Sequence, residues 1–179
     1  MTRSHHDLVL AMCPTARGLG FALMAGPLSP IDWGVKETKG KEKNVEGVEK
    51  AVALLEAHQP DVLVLEDSAA EGSRRSARIR RLNRSIELFA RTRAIEVHRY
   101  SRPDIRRCFE RFGASTRYET AQVIAKNIPA FTRLLPKKPR PWESEPTRMA
   151  LFNAAALALS FYFHTSDERR EIDPPKEAA

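Results

Sequence analysis

The sequence has 179 residues, of which 42% are apolar, which suits one domain with a substantial core and would be cramped for two. Lysines and arginines number 30 against 23 aspartates and glutamates, and this formal charge of +7 favours a polyanionic partner such as nucleic acid. Every apolar run is shorter than the roughly 20 residues of a membrane span, and the two cysteines are too few for a disulfide framework, so we expect a cytoplasmic protein.

The first apolar stretch, residues 8–23, predicts a strand, a turn and a second strand. Alternation predicts two faces for the first strand, with Leu8, Leu10 and Met12 on one and Val9, Ala11 and Cys13 on the other. Because Pro14 cannot continue a central ladder, Cys13 is expected at the rim of the sheet. Two glycines in the second strand, Gly18 and Gly20, permit close backbone approach.

A third strand, a helix and a fourth strand are predicted next. Residues 31–35 alternate like an antiparallel strand, and apolar residues recur at helical spacing over 44–58. Residues 61–65 form a continuously apolar run, typical of a strand buried on both faces, and Glu66 follows directly. Sites in α/β folds are commonly built at such strand ends, so Glu66 is a candidate catalytic residue, with a simple capping role as the alternative. Asp67 is expected to point to the opposite face.

Residues 74–93 predict a helix that is unusually rich in arginine. Its apolar residues form a buried stripe, and at about 100° per residue the arginines group on other faces. The arginines that we expect to contact nucleic acid are Arg74, Arg80, Arg81, Arg84 and Arg91. Guanidinium groups on one rigid face can fork onto phosphate oxygens. A solvated arginine face without a partner is the alternative.

The rest of the chain predicts one strand and three helices. Residues 94–100 form a fifth strand, and helices over 101–113 and 116–128 follow, each with a capping serine or threonine. After a Pro-rich basic loop, Ser144 is expected to cap a long buried helix that reaches His164 and contains Asn153. We expect one domain over residues 1–166 and a disordered tail over 167–179.

Three motif regions in this order resemble the Holliday-junction resolvases of the RuvC type, which are ribonuclease H-like nucleases. They are LVLAMCPTARGLGFAL at the start, Glu66 after the buried fourth strand, and RPDIRRCFERFG followed by STRYETAQVIAKNI. The resemblance implies an α/β fold with a five-stranded mixed sheet, three antiparallel hairpin strands first, flanked by helices. It also implies a nucleic-acid partner, with junction or duplex DNA expected first, and a homodimer as one possible assembly. We expect no membrane partner, because no apolar run is long enough to span a bilayer.

The same resemblance implies a metal-dependent nuclease site at which this sequence departs from the family. Carboxylates from the first strand, the fourth strand and the last helix would hold two Mg²⁺ or Mn²⁺ ions about 4 Å apart. Here these positions are Cys13, Glu66 and Asn153. A thiol is soft and usually protonated near neutral pH, and an amide carries no charge, so Glu66 alone remains as an anionic metal ligand.

Other residues could compensate for the missing charges. Glu145 lies on nearly the same face of the predicted last helix as Asn153, but about 12 Å away along its axis. It could therefore approach a phosphate-bound metal ion only from the rim of the site. Where the family usually has a lysine, this sequence has Thr120. The positive charge that this lysine would supply is therefore expected from Arg117 or Lys126. Arg117 is also a further candidate for contact with nucleic acid.

Three interpretations of function remain open on the sequence. The number of anionic ligands favours a nucleic-acid-binding protein whose metal-dependent nuclease site is degenerate, with no cofactor required. The position of Glu66 instead favours an active Mg²⁺-dependent endonuclease that uses Glu66 with Asp67 or Glu145. The third is an interaction module whose basic face meets an acidic protein.

Overall fold

Five strands form a single mixed sheet. The computed structural model describes residues 7–172, with side chains through residue 167. The strands are β1 (Val9–Pro14), β2 (Gly18–Met24), β3 (Pro30–Glu37), β4 (Val62–Glu66) and β5 (Glu96–Tyr100). Their order across the sheet is β3-β2-β1-β4-β5, with antiparallel pairing among the first three strands and parallel pairing of β1 with β4 and of β4 with β5. The predicted α/β sheet with an antiparallel hairpin region first is confirmed.

Helices cover both faces of this sheet. They are α1 (Lys43–His58), α2 (Ala77–Thr92), α3 (Arg102–Glu110), α4 (Arg117–Asn127), α5 (Pro129–Thr132) and α6 (Met149–Ile172). Residues of α1 and α2 form one core with the sheet, and residues of α3 to α6 form the other. None of the helices within the described part of the chain is both long enough and apolar enough to cross a bilayer.

The two faces of β1 follow the predicted alternation. Leu10 and Met12 pack into the core under α1 and α2, whereas Val9, Ala11 and Cys13 pack into the core under α6. All these side chains are at most 1% exposed. The first strand therefore carries Cys13 to the same face as the last helix.

A glycine allows α6 to lie directly against β2. A Cβ atom built on Gly20 would lie 2.2 Å from the backbone carbonyl carbon of Ala150, which is far inside van der Waals contact. Gly20 is also the register partner of Cys13 in the adjacent strand. The predicted close backbone approach at Gly20 thus brings the start of α6 beside the end of β1.

Three predicted helix boundaries are wrong. Ser76 caps α2 by accepting a hydrogen bond from the Ile79 amide, so Arg74 precedes the helix and does not lie on it. The last helix begins at Met149 and not at Ser144. Pro146 disfavours helical geometry in the residue before it, so Glu145 lies in the preceding loop.

The third boundary is the end of the last helix. The tail expected over 167–179 is helical as far as Ile172, and residues 173–179 lie outside the described part of the chain.

Candidate functional site

A cavity of about 290 Å³ lies where β1, β4 and α6 meet. Since β1 and β4 are parallel and Met12 pairs with Leu65, the next residues on each strand, Cys13 and Glu66, come to the same edge of the sheet. Asn153 lies one turn after Ala150 on α6. All three predicted positions line this cavity, so segments far apart in sequence converge there.

Two arginines bind the carboxylate of Glu66. Arg75 donates from Nε to Oε2 at 2.7 Å, and Arg102 donates from Nε to Oε1 at 2.9 Å. The Glu66 side chain is only 7% exposed. Burial raises the pKa of this carboxyl, but the charges and hydrogen bonds of Arg102 and Arg75 outweigh burial and hold it below the ordinary value. Glu66 is therefore an ionised carboxylate with a partner on each oxygen.

Cys13 contributes a neutral thiol to the same cavity. Its side chain is 1% exposed, and burial raises the pKa of the thiol despite the nearby Arg75 guanidinium. Arg75 approaches the sulfur, with Nη2 3.8 Å from Sγ. The thiolate form, which would bind a metal ion, is thus disfavoured at neutral pH.

The other carboxylates considered from the sequence lie outside this cavity. Asp67 lines two adjoining recesses, and its backbone N–H donates to the Tyr100 carbonyl. Glu145 lines a separate recess and accepts a hydrogen bond from Arg117 at 3.3 Å. The expectation that Glu145 shares a helix face with Asn153 is wrong, because Glu145 precedes α6.

The residues in the cavity do not suit Mg²⁺ or Mn²⁺. These ions prefer oxygen ligands and favour anionic ones, whereas the cavity offers a buried thiol, an uncharged amide and a carboxylate engaged by two guanidinium groups. Over the part of the chain with described side chains, no group of three or more histidine, cysteine, aspartate or glutamate residues is arranged to hold a metal ion. Guanidinium groups instead take the position beside Glu66.

Arginines line the cavity and two adjoining recesses along the same edge of the sheet. The cavity contains Arg102, Arg106 and Arg117, and the next recess shares these three with it and adds Arg74 and Arg75. The third recess, which meets the second at Glu66 and Asp67, is lined by Arg80, Arg81, Arg84 and Arg99. We call these three recesses the basic groove.

Five of the six arginines predicted to contact nucleic acid line the basic groove. The sixth, Arg91, does not line it and forms an ion pair with Glu87 at 2.7 Å on α2. By periodicity Arg91 lies on the same helix face as Arg80 and Arg84, but Glu87 already pairs with its charge.

Four arginines in the groove were not singled out from the sequence: Arg75, Arg99, Arg102 and Arg106. Arg102 follows β5, whose Tyr100 pairs with Glu66, so parallel pairing of β4 with β5 was a usable signal. Arg106 lies one turn later on α3, on the side facing the cavity. For Arg75, which lies in the loop before α2, no local pattern pointed to Glu66.

Comparison with solved structures identifies the fold. The structure of Thermus thermophilus RuvC in complex with Holliday junction substrate matches with a TM-score of 0.64 and 17% identity, over 91% of this chain and 97% of that one. The yeast mitochondrial Holliday junction resolvase Ydc2 matches with a TM-score of 0.58 and 11% identity, over 94% and 85% of the two chains.

A viral enzyme gives a similar result. The fowlpox virus resolvase in complex with substrate Holliday junction DNA has a TM-score of 0.55 and 14% identity, over 88% of this chain and 98% of that one. No family model and no curated protein matches the sequence. The structural likenesses show a RuvC-like fold of the ribonuclease H type.

Proposed function

We propose that this chain, with its RuvC-like fold, binds nucleic acid through the basic groove and does not cleave it by a metal-dependent reaction. Branched or duplex DNA is the expected ligand. Two of the structures that share the fold contain Holliday junction DNA, which supports this choice of ligand. The proposal rests on one observation, the binding of both Glu66 oxygens by arginines within a groove lined by further arginines.

The charges of the groove support a polyanionic ligand. Its first two recesses hold five arginines and the carboxylates of Glu66, Asp67 and Glu71. In the third, Arg80, Arg81, Arg84 and Arg99 face Asp67 and Glu87 in addition to Glu66. Arginine exceeds acid in each part, and guanidinium groups can donate two parallel hydrogen bonds to one phosphate.

A binding experiment tests the proposal. Fluorescence anisotropy with labelled four-way junction, duplex and single-stranded DNA, and with duplex RNA as competitor, would be measured from about 50 to 200 mM salt. We expect junction or duplex DNA to bind, with log affinity falling steeply against log salt concentration. Absent binding, or binding that salt does not weaken, would remove the proposal and leave an acidic protein as the better partner for this surface.

An active endonuclease is the competing function. We expect no cleavage of junction DNA with Mg²⁺ or Mn²⁺, because Asn153 and Cys13 add no charge to the single carboxylate of the cavity. Reproducible cutting that Glu66→Gln abolishes would establish the competing function. The paired substitution of Cys13→Asp with Asn153→Asp is the informative variant, since new metal-dependent cutting by it would identify this cavity as the equivalent of a nuclease site.

A further inference from the structure

We infer that the cavity between Cys13, Glu66 and Asn153 seats one phosphate group of the nucleic acid directly on guanidinium and amide groups, without a metal ion. The inference rests on the proposed function and names what the cavity itself contacts. The cavity shares Arg102, Arg106 and Arg117 with the second recess, but the arginines of α2 line the third recess, so the two contributions can be tested separately.

The donors that face this cavity are not all used within the protein. Arg102 binds Glu66 through Nε alone, and the described contacts leave its two terminal amino groups without a hydrogen-bond acceptor. Arg106 makes no ion pair with any residue whose side chain is described. These two side chains lie one turn apart on α3, so a bound anion would contact two guanidinium groups from one rigid helix.

Three guanidinium groups lie around this cavity beside the single carboxylate of Glu66. Burial lowers the pKa of Arg102, and the charges of Arg117 and Arg75 lower it further against the opposing effect of Glu66. The neighbouring arginines therefore repel Arg102, and Glu66 offsets only part of the combined effect of burial and this repulsion. A phosphate placed between Arg102 and Arg117 would relieve it, because opposite charges interact strongly in a partly buried site.

The neutral residues of the cavity favour the same ligand. The Asn153 amide lines the cavity and has no hydrogen-bond partner among the residues with described side chains, so its NH₂ group is free to donate to a phosphate oxygen. Cys13 is held as an uncharged thiol by burial. Aspartates at these two positions would repel a phosphate unless a cation lay between them. The features that disfavour a divalent cation here therefore favour direct binding of an oxyanion.

The test compares two Asn→Asp substitutions by anisotropy in excess EDTA. Asn153→Asp places a negative charge in the cavity with almost no change in size. Asn127→Asp makes the same change on the exposed surface of α4, outside the groove. We expect the wild type to bind DNA fully in EDTA, Asn153→Asp to weaken binding at least about tenfold, and Asn127→Asp to weaken it less than about twofold.

Arg106→Ala supplies the second measurement. Loss of one phosphate contact is expected to reduce the slope of log affinity against log salt concentration by about one. Thermal unfolding of each variant shows whether the fold is retained. If Asn153→Asp and Arg106→Ala bind like the wild type while Arg84→Ala binds weakly, the phosphate seat is refuted and the proposed function stands. If the wild type does not bind DNA at all, the proposed function is refuted, and the phosphate seat with it.

The source of the phosphate is settled with matched oligonucleotides. A 5′-phosphorylated strand, a 5′-hydroxyl strand and inorganic phosphate would be used as competitors. Tighter binding of the phosphorylated strand, lost in Asn153→Asp, assigns the seat to a terminal phosphate. Equal binding of the two strands, each weakened in Asn153→Asp, assigns it to a backbone phosphodiester. If inorganic phosphate competes but Asn153→Asp changes the binding of neither strand, the cavity has no role in nucleic-acid binding.

Discussion

Arg75 and Glu66 form a nearly buried ion pair in which the Nε of Arg75 lies 2.7 Å from Oε2 of Glu66. The side chains are 17% and 7% exposed. Because Arg102 binds the other carboxylate oxygen, Glu66 is a fixed part of the structure as well as a charge in the cavity. Its contribution to folding can be measured independently of any ligand.

Arg75→Ala is expected to destabilise the protein. The substitution leaves a buried carboxylate with one of its two partners, and we expect a loss of about 2 kcal/mol in the free energy of unfolding. Urea denaturation followed by circular dichroism measures it. The control is Arg93→Ala, which breaks the exposed ion pair with Glu56 and should cost at most about 0.5 kcal/mol. Equal losses in the two variants would contradict the structural role of Arg75.

The stability contributed by Glu66 is expected to depend on pH. Its pKa in the folded protein lies below the ordinary value of 4.5, so the ionised form stabilises the protein above that pH. The contribution is lost as pH falls through the folded pKa, when the carboxylate is protonated. We therefore expect the wild type to be more stable than Glu66→Gln at pH 7, with the gap narrowing below about pH 4.5. A gap that stays constant from about pH 7 to pH 3 would argue against ionised Glu66 as its source.

Gly20→Ala is expected to destabilise the junction between β2 and α6. The added methyl group would overlap the backbone of Ala150, which cannot move aside without shifting the helix. We expect a loss of about 1–3 kcal/mol, the usual cost of overpacking a core. Gly40→Ala is the control, since a Cβ there would meet only the flexible end of the Glu46 side chain at 3.1 Å. Thermal unfolding that ranks the two variants in the opposite order would show that the close approach is unimportant.

Two arginines of α2 are expected to differ in their contribution to nucleic-acid binding. Arg84 lines the basic groove, whereas Arg91 is paired with Glu87 outside it. Arg84→Ala should weaken junction binding several-fold and reduce the salt slope by about one, and Arg91→Ala should change both much less. Anisotropy titrations over a salt series measure the two effects. A larger effect of Arg91→Ala would move the binding surface away from the groove.

Local sequence patterns were sufficient to determine the elements that carry the cavity. Alternation along β1 placed Cys13 opposite Leu10 and Met12, and a buried strand followed by a charged residue placed Glu66 at the rim. The capping Ser101 with its early proline and the capping box at Thr116 marked the starts of α3 and α4. These patterns depend on residues close together in the chain, and such periods and caps are preserved in the folded protein.

Only the tertiary structure decided how the charges are matched. Arg102 reaches Glu66 across 36 residues, and Arg75 approaches Cys13 across 62, so neither contact leaves a local pattern. The position of Glu145 also depended on where α6 begins. Pro146 and the close packing of Ala150 on Gly20 together set this start. Charge pairing is determined by distance in space, and a residue's period along the chain determines only the face on which it lies.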